Sequence, residues 1–358
     1  MYPVLLKLWS NTHHLQQAYA GFSILHYCKK INLSQVFVKP SLELKNAFQQ
    51  QHLSNHYQSC FIAEVGGLTI VFDLHDSFEI NPYLINKCDF YFKRSYSSKH
   101  IVESKLEGKC LPYGPFYEVY SNFFDPFLLS RGLNINLEWK RRIRSMMRAF
   151  PILDDITSIS RENKLSENNR VMSSNRKIIF SVNMHDPHDC NDRSENNVEH
   201  RIQLIYQRAE LVRKLRKAFP NNYLGGVKDN AVARKYAPDC ILQDSEFFNK
   251  KNYLTNLKKC SIGISTPGLF NSVGGKFGEY LALGKAVVTY PLDYYQGESL
   301  SSPNNYLLAS SVEHVIEKCD LLLNDSQLVS SMSENNINYY QKCLRPDIKI
   351  ESLLSKIL

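Results

Sequence analysis

Between Ser265 and Pro291 the chain reads Ser-Thr-Pro-Gly-Leu-Phe-Asn-Ser-Val-Gly-Gly-Lys-Phe-Gly-Glu-Tyr-Leu-Ala-Leu-Gly-Lys-Ala-Val-Val-Thr-Tyr-Pro, and these residue types at this spacing suit recognition of a nucleotide. Gly268, Gly274 and Gly275 let the backbone come close to a bound group. Lys276 and Glu279 lie three residues apart on the helix expected after the glycines, hence on one face. The N–H groups that open this helix, with the Lys276 ammonium, would hold a phosphate. Glu279, one turn deeper, would accept from the hydroxyl pair of a ribose. A cation at the positive end of a helix is unfavourable unless an anion lies between, which also argues for phosphate. Thr266 and Ser272 add hydroxyl donors, and Asn271 or Ser272 can equally cap the helix. The plain alternative is a packed strand–turn–helix with Glu279 in solvent.

A second group of reactive side chains follows expected strands in the first third of the chain: His13, His14, Asp73, His75 and Asp76. A histidine with an ordinary pKa near ~6.5 can take a proton at neutral pH, and an aspartate beside it can orient it. Asp76 and Asp73 lead, because they follow the best-defined strand of that region, Leu68 to Phe72. Strand-end Asp and His also cap helices, so each has a structural reading as well. A third cluster, His185, Asp186, His188, Asp189, Cys190 and Asp192, lacks regular ligand spacing and reads as a solvated turn.

The elements that must position these groups alternate. Residues 1–130 show short apolar runs separated by helical stretches, including Pro3 to Leu8, Gln16 to Lys30, Val36 to Val38, Leu68 to Phe72 and Phe90 to Lys93. Residues 131–175 form an expected linker, in which Trp139, Ile143, Met146, Met147 and Phe150 share one helical face and Lys140, Arg141, Arg142, Arg144 and Arg148 cover the remainder. Residues 176–358 alternate again: a strand at Ile178 to Ser181, a helix from Arg201 to Phe219, strands at Tyr223 to Val227 and Ser261 to Ser265, a helix near Val312 to Leu323, and a last helix returning toward the first domain. Strands alternating with helices predict parallel sheets, and ligands of such sheets bind beyond the carboxyl ends of the strands. Ser181, Asn183 and the glycine turn then fall on one rim, with the His13 and Asp73 loops on the other.

The tail Lys-Phe-Gly-Glu-Tyr-Leu-Ala-Leu-Gly-Lys-Ala-Val-Val resembles the donor-nucleotide segment of GT-B glycosyltransferases of the bacterial surface-glycan type. The resemblance covers residues 176–345, and more loosely the segments Lys-Cys-Asp-Phe-Tyr-Phe-Lys-Arg at 87–94 and Leu-Pro-Tyr-Gly at 111–114. It implies an α/β fold of two Rossmann-like domains facing across a cleft. It also implies metal-independent transfer of a sugar from a nucleotide-diphosphate sugar to a glycan or lipid-linked acceptor, with no further cofactor. Ser181, Asn183, Thr266, Gly268, Asn271, Ser272, Gly274, Gly275, Lys276 and Glu279 become the donor-binding set, and Asp76, Asp73, His75 and His13 the catalytic candidates. Asn271 stands where the retaining branch often has a second glutamate, so the stereochemistry stays open. An epimerase acting on a nucleotide sugar in the same fold, and a non-catalytic binding module, also stay open.

Composition narrows the classes. A formal net charge of +8 favours anionic partners, phosphates or an anionic membrane surface, while no nucleic-acid-binding motif is present. The basic helix near Trp139 reads as a helix packed between domains, with contact to a membrane as its second reading. Nine scattered cysteines without a Cys-x-x-Cys pair read as buried thiols of a reducing cytoplasm and not as a zinc site. With no long apolar run and no leader-like start, the expected location is cytoplasmic, at most peripheral at the inner face of the membrane.

Overall fold

The computed structural model of the chain describes all residues except 11, 52–55, 127, 130–137, 155–160, 163–164, 166–175, 189–194 and 298. It divides into two compact units, residues 1–165 with 341–358, and residues 166–340.

In the first unit, β1 (Tyr2–Leu8), β2 (Ile31–Phe37), β3 (Cys60–Val65), β4 (Leu68–Asp73), β5 (Phe90–Lys93) and β6 (Cys110–Pro112) make a sheet in the order β2-β1-β3-β4-β5-β6. Around it are α1 (Gln16–Tyr27), α2 (Leu42–Gln50), α3 (Pro82–Asn86), α4 (Ser98–Glu103) and α5 (Trp139–Arg148). Val4, Leu6 and Leu8 alternate inward along β1 and join Phe22, Phe61, Phe72 and Phe92 in one core. α1 is buried from Gln16 to Leu25 because it is covered on a second side by the chain's last helix.

This sheet corrects the expectation of a wholly parallel arrangement. β3 runs antiparallel to both β1 and β4, while β2, β5 and β6 follow the parallel rule. The cause is the tight turn at Gly66 and Gly67, with φ of +59° and +86°, which folds β3 back on β4 as a hairpin. The reversal has a consequence for the site. It brings the start of β3, with the 3-10 turn His56–Ser59, to the carboxyl edge of its neighbours.

In the second unit, β7 (Ile178–Val182), β8 (Tyr223–Val227), β9 (Ile262–Ser265), β10 (Ala286–Thr289) and β11 (Tyr306–Leu308) form a parallel sheet in the order β11-β10-β9-β7-β8. The helices are α6 (Glu195–Ala218), α7 (Ala231–Tyr236), α8 (Lys250–Lys258), α9 (Gly275–Ala282), α10 (Val312–Asn324) and α11 (Ser326–Tyr339), after which α12 (Pro346–Leu354) returns to the first unit. β7 and β9 are buried at every residue, as strands covered on both faces must be. α6 starts six residues before the expected Arg201, and α11 was not anticipated. Each unit is a Rossmann-like α/β layer. In the second, the chain leaves β7 toward β8 on one side and reaches β9 on the other, so the strand order reverses between β7 and β9. That reversal opens a crevice at the carboxyl ends, where sheets of this kind bind ligands.

Candidate functional site

The β7/β9 crevice collects most of the expected donor-binding residues. Ser181 is the fourth residue of β7 and Asn183 follows its end; Thr266 follows β9. Gly268 then enters a tight turn in which its N–H donates to the Ser272 carbonyl at 2.8 Å. A side chain there is excluded, because a Cβ would lie 2.6 Å from the Ser272 hydroxyl. Phe270 and Asn271 are both left-handed, with φ of +57° and +56°, an uncommon state for a phenylalanine. The Tyr294 hydroxyl on the Phe270 carbonyl and His200 on the Asn271 side chain (2.9 Å) hold this turn. Gly274 caps α9 without a side-chain cap bond, and Gly275 opens the helix.

Lys276, in the first turn of α9, reaches across to β7. Its ammonium donates to the Ser181 hydroxyl at 2.7 Å and to the Ser181 carbonyl, and lies 4.8 Å from the centre of the Tyr253 ring. Burial lowers its pKa to about 8, with Lys250 and Arg208 pressing in the same direction and Glu279 opposing. Glu279 is 5% exposed and forms an ion pair with Lys250 of α8. So the glutamate expected to meet a ribose is already shared with a cation.

Sequence reasoning missed Arg208. It sits mid-way along α6, where its sequence context gives no sign that it turns inward. Its guanidinium donates to the Asn183 carbonyl at 3.1 Å and the Pro267 carbonyl at 2.8 Å, tying the end of β7 to the glycine turn. Its Nε is buried without a partner. Among the described residues no carboxylate pairs with it, and burial alone lowers its pKa to about 10. Asn183 is fixed from the other side by the Asn230 amide, at 2.8 Å. The crevice therefore holds two cations, Lys276 and Arg208, bonded to uncharged oxygens.

The catalytic candidates gather at the carboxyl edge of the first unit, around a different chemistry. Asp73, 2% exposed, accepts from the Lys93 ammonium (2.7 Å), the Tyr91 hydroxyl (2.6 Å) and the His75 N–H (3.1 Å). Asp76 pairs with Arg94, which also donates to the Leu74 carbonyl and contacts His14. The ring of His75 stacks on His56, and its Nδ1 accepts from the Ser77 N–H. Burial lowers the pKa of His14 and His56 to about 3 each, and drives that of His75 well down, helped by neighbouring His56 and Lys93. His13 is exposed, its ring 4.0 Å from that of His14 and tilted by 36°. Lys349 of α12 reaches this region, donating to the Pro115 carbonyl over the Tyr113 ring. Lys93 and Arg94 received no role from the sequence, although the segment 87–94 that contains them stood out.

Asp73 and Asp76 are each committed to their own cation, and do not converge on one point as metal ligands would. Of the cluster after β7, the His188 N–H donates to Asp186, while Asp189, Cys190 and Asp192 lie outside the described residues. Cys60, Cys88, Cys110, Cys240, Cys260 and Cys319 are buried thiols.

No protein-family model and no curated protein matches the chain. Solved structures similar to it include the C-terminal domain of a group 1 family glycosyl transferase from Francisella tularensis, at 13% identity over 51% of this chain and 91% of that one, TM-score 0.31. A glycosyltransferase from Rickettsia africae matches at 12% identity over 95% and 80%, TM-score 0.42. A UDP-GlcNAc 2-epimerase from Neisseria meningitidis, bound to UDP-GlcNAc, matches at 11% identity over 99% and 100%, TM-score 0.44. At these identities and TM-scores the likeness carries nothing about activity, which must come from the residues.

Proposed function

We propose that the chain is a glycosyltransferase that moves a sugar from a nucleotide-diphosphate donor to a hydroxyl of a glycan or lipid-linked acceptor, without a metal. The observation that carries this reading is the pair Lys276 and Arg208 at the β7/β9 crevice, buried cations bonded to carbonyls and a hydroxyl and in no ion pair among the described residues, while the nearby Glu279 is paired with Lys250. A diphosphate leaving group gains negative charge as the glycosidic bond breaks, and fixed cations stabilise that charge most in the transition state. With a pKa of about 8, Lys276 is mostly charged at neutral pH, and the uncapped N–H groups of α9 point the same way. Glu279 meets the ribose in this assignment, sharing its carboxylate with Lys250.

The acceptor must lose a proton. His14, His56 and His75 are poor bases at neutral pH because burial depresses them, and Asp73 is occupied by three donors. His13 is the exposed imidazole of the group, and we assign it the proton. Asp76 acts through Arg94 and His14 to hold that edge in place.

The test is a thermal-shift screen with UDP, GDP, CMP and dTDP and their sugars, followed by product analysis with the responding donor. The expected result is a raised melting temperature with one nucleoside diphosphate and sugar transfer to an added acceptor. Interconversion of the donor without acceptor would instead mark an epimerase. Binding without turnover would mark a non-catalytic module.

A further inference from the structure

The basic helix α5 does not bury the face its sequence marks as apolar. Its contact with the first unit is made by small residues: Ser145 and Ala149 are 7% and 0% exposed, and Ala149 packs with Tyr120 and Leu128. The Ala149 carbonyl accepts from the Asp125 N–H at 2.9 Å, and the Arg148 carbonyl from Arg161 at 2.9 Å. The helix is thereby fixed with its opposite side outward. Trp139, Ile143, Met146 and Phe150 are 65%, 47%, 37% and 42% exposed, and Ile152 just beyond is 89% exposed. Phe150 meets Phe124 at 5.2 Å between ring centres, so the apolar strip continues onto the neighbouring loop. Exposed Lys140 and Arg144 flank it, with the half-buried Arg142 and Arg148 behind them. A water-facing strip of this kind needs an occupant.

We infer that this face docks on an anionic lipid surface. The charges choose the occupant. Apolar side chains in a row, bordered by cations and headed by a tryptophan, match the boundary between acyl chains and anionic headgroups. The seat is held by backbone bonds to buried groups, so docking requires no refolding of α5. Among the described residues no helix is long and apolar enough to cross a membrane. The inference rests on the first unit alone and is independent of the donor reading; it deepens that reading by supplying a lipid-linked acceptor at the surface where it resides.

The experiment uses the full chain carrying Trp9→Phe, which leaves Trp139 as the reporter of the two tryptophans. It is mixed with vesicles of phosphatidylcholine alone and of phosphatidylcholine and phosphatidylglycerol in equal parts. The chain is expected to sediment with the anionic vesicles only, with a blue shift of Trp139 emission, and added salt should release it. Lys140→Glu and Arg144→Glu should each weaken binding about fivefold or more, since a cation near an anionic surface contributes about 1 kcal/mol. Ile143→Ser should weaken it further, and all three, at exposed positions, should unfold like the parent. Nucleotide binding by these variants should be unchanged, which separates this test from that of the donor site. Failure to sediment with anionic vesicles, or equal binding by Arg144→Glu, would overturn the inference. So would a dimer in solution that Ile143→Ser dissociates, because a second copy would then cover the face.

Discussion

The carboxyl edges of the two sheets both carry buried charge, and they settle it differently. In the first unit Lys93 pairs with Asp73 and Arg94 with Asp76, and a third buried cation, Lys349, donates to the Pro115 carbonyl over the Tyr113 ring. The nearby histidines are kept neutral by burial. In the second unit Lys276 and Arg208 donate to carbonyls and a hydroxyl, and the Glu279 carboxylate near Lys276 is paired with Lys250. An edge whose charges are mostly paired can surround an uncharged hydroxyl substrate without competing for it. An edge with surplus positive charge stays costly until a ligand brings the anion.

The largest expected effect breaks the first edge. Asp73→Asn leaves Lys93, 1% exposed, without its partner, and removing one member of a buried pair costs about 3–5 kcal/mol. Urea unfolding checks it; a loss below about 1 kcal/mol, the value of a surface pair, would show that the edge is not held by charge.

Next comes the second edge. Arg208→Ala should reduce affinity for a nucleoside diphosphate about ten- to a hundredfold, as a hydrogen bond to a charged group contributes about 1.5–3 kcal/mol. Titration of the variant checks it. Unchanged affinity would make Arg208 only a tie between β7 and the glycine turn.

The smallest effect is graded with pH. A diphosphate binds the charged form of Lys276, so affinity should fall as pH rises through about 8, by at most tenfold per pH unit, and Lys276→Met should flatten that slope. Stability without ligand should move the opposite way. The folded pKa lies below the unfolded value, so the unfolded chain binds more protons between about 8 and 10.5 and stability rises across that window. Lys285, also lowered by burial to about 8, contributes to the same rise. The slope in affinity is therefore the discriminating readout.

Much of the second unit was legible because its strands are short apolar runs and its turn is marked by glycines: Ile262–Ser265, Gly268, Gly274 and Gly275 fall where the pattern placed them. The antiparallel β3 escaped, although Val65-Gly66-Gly67-Leu68 carries a hairpin signal between two apolar segments. Arg208 escaped for a physical reason. Its role depends on two carbonyls distant in sequence, Asn183 and Pro267, and an amphipathic helix gives no sign of which cation turns inward. The same limit applied to α5. Periodicity identified its apolar face, but the small residues Ser145 and Ala149 determine which face is buried. The pairing of Glu279 with Lys250 joins two helices and has no local signature at all.

Calorimetric titration of a free nucleoside diphosphate into the full chain, beside Lys276→Ala and Glu279→Gln, tests the donor site most directly, because it excludes acceptor effects. The parent is expected to bind, and each variant to lose about ten- to a hundredfold in affinity. Binding of the diphosphate by both variants as tightly as by the parent would contradict it, and would leave the β7/β9 turn a packed element with its cations serving the fold.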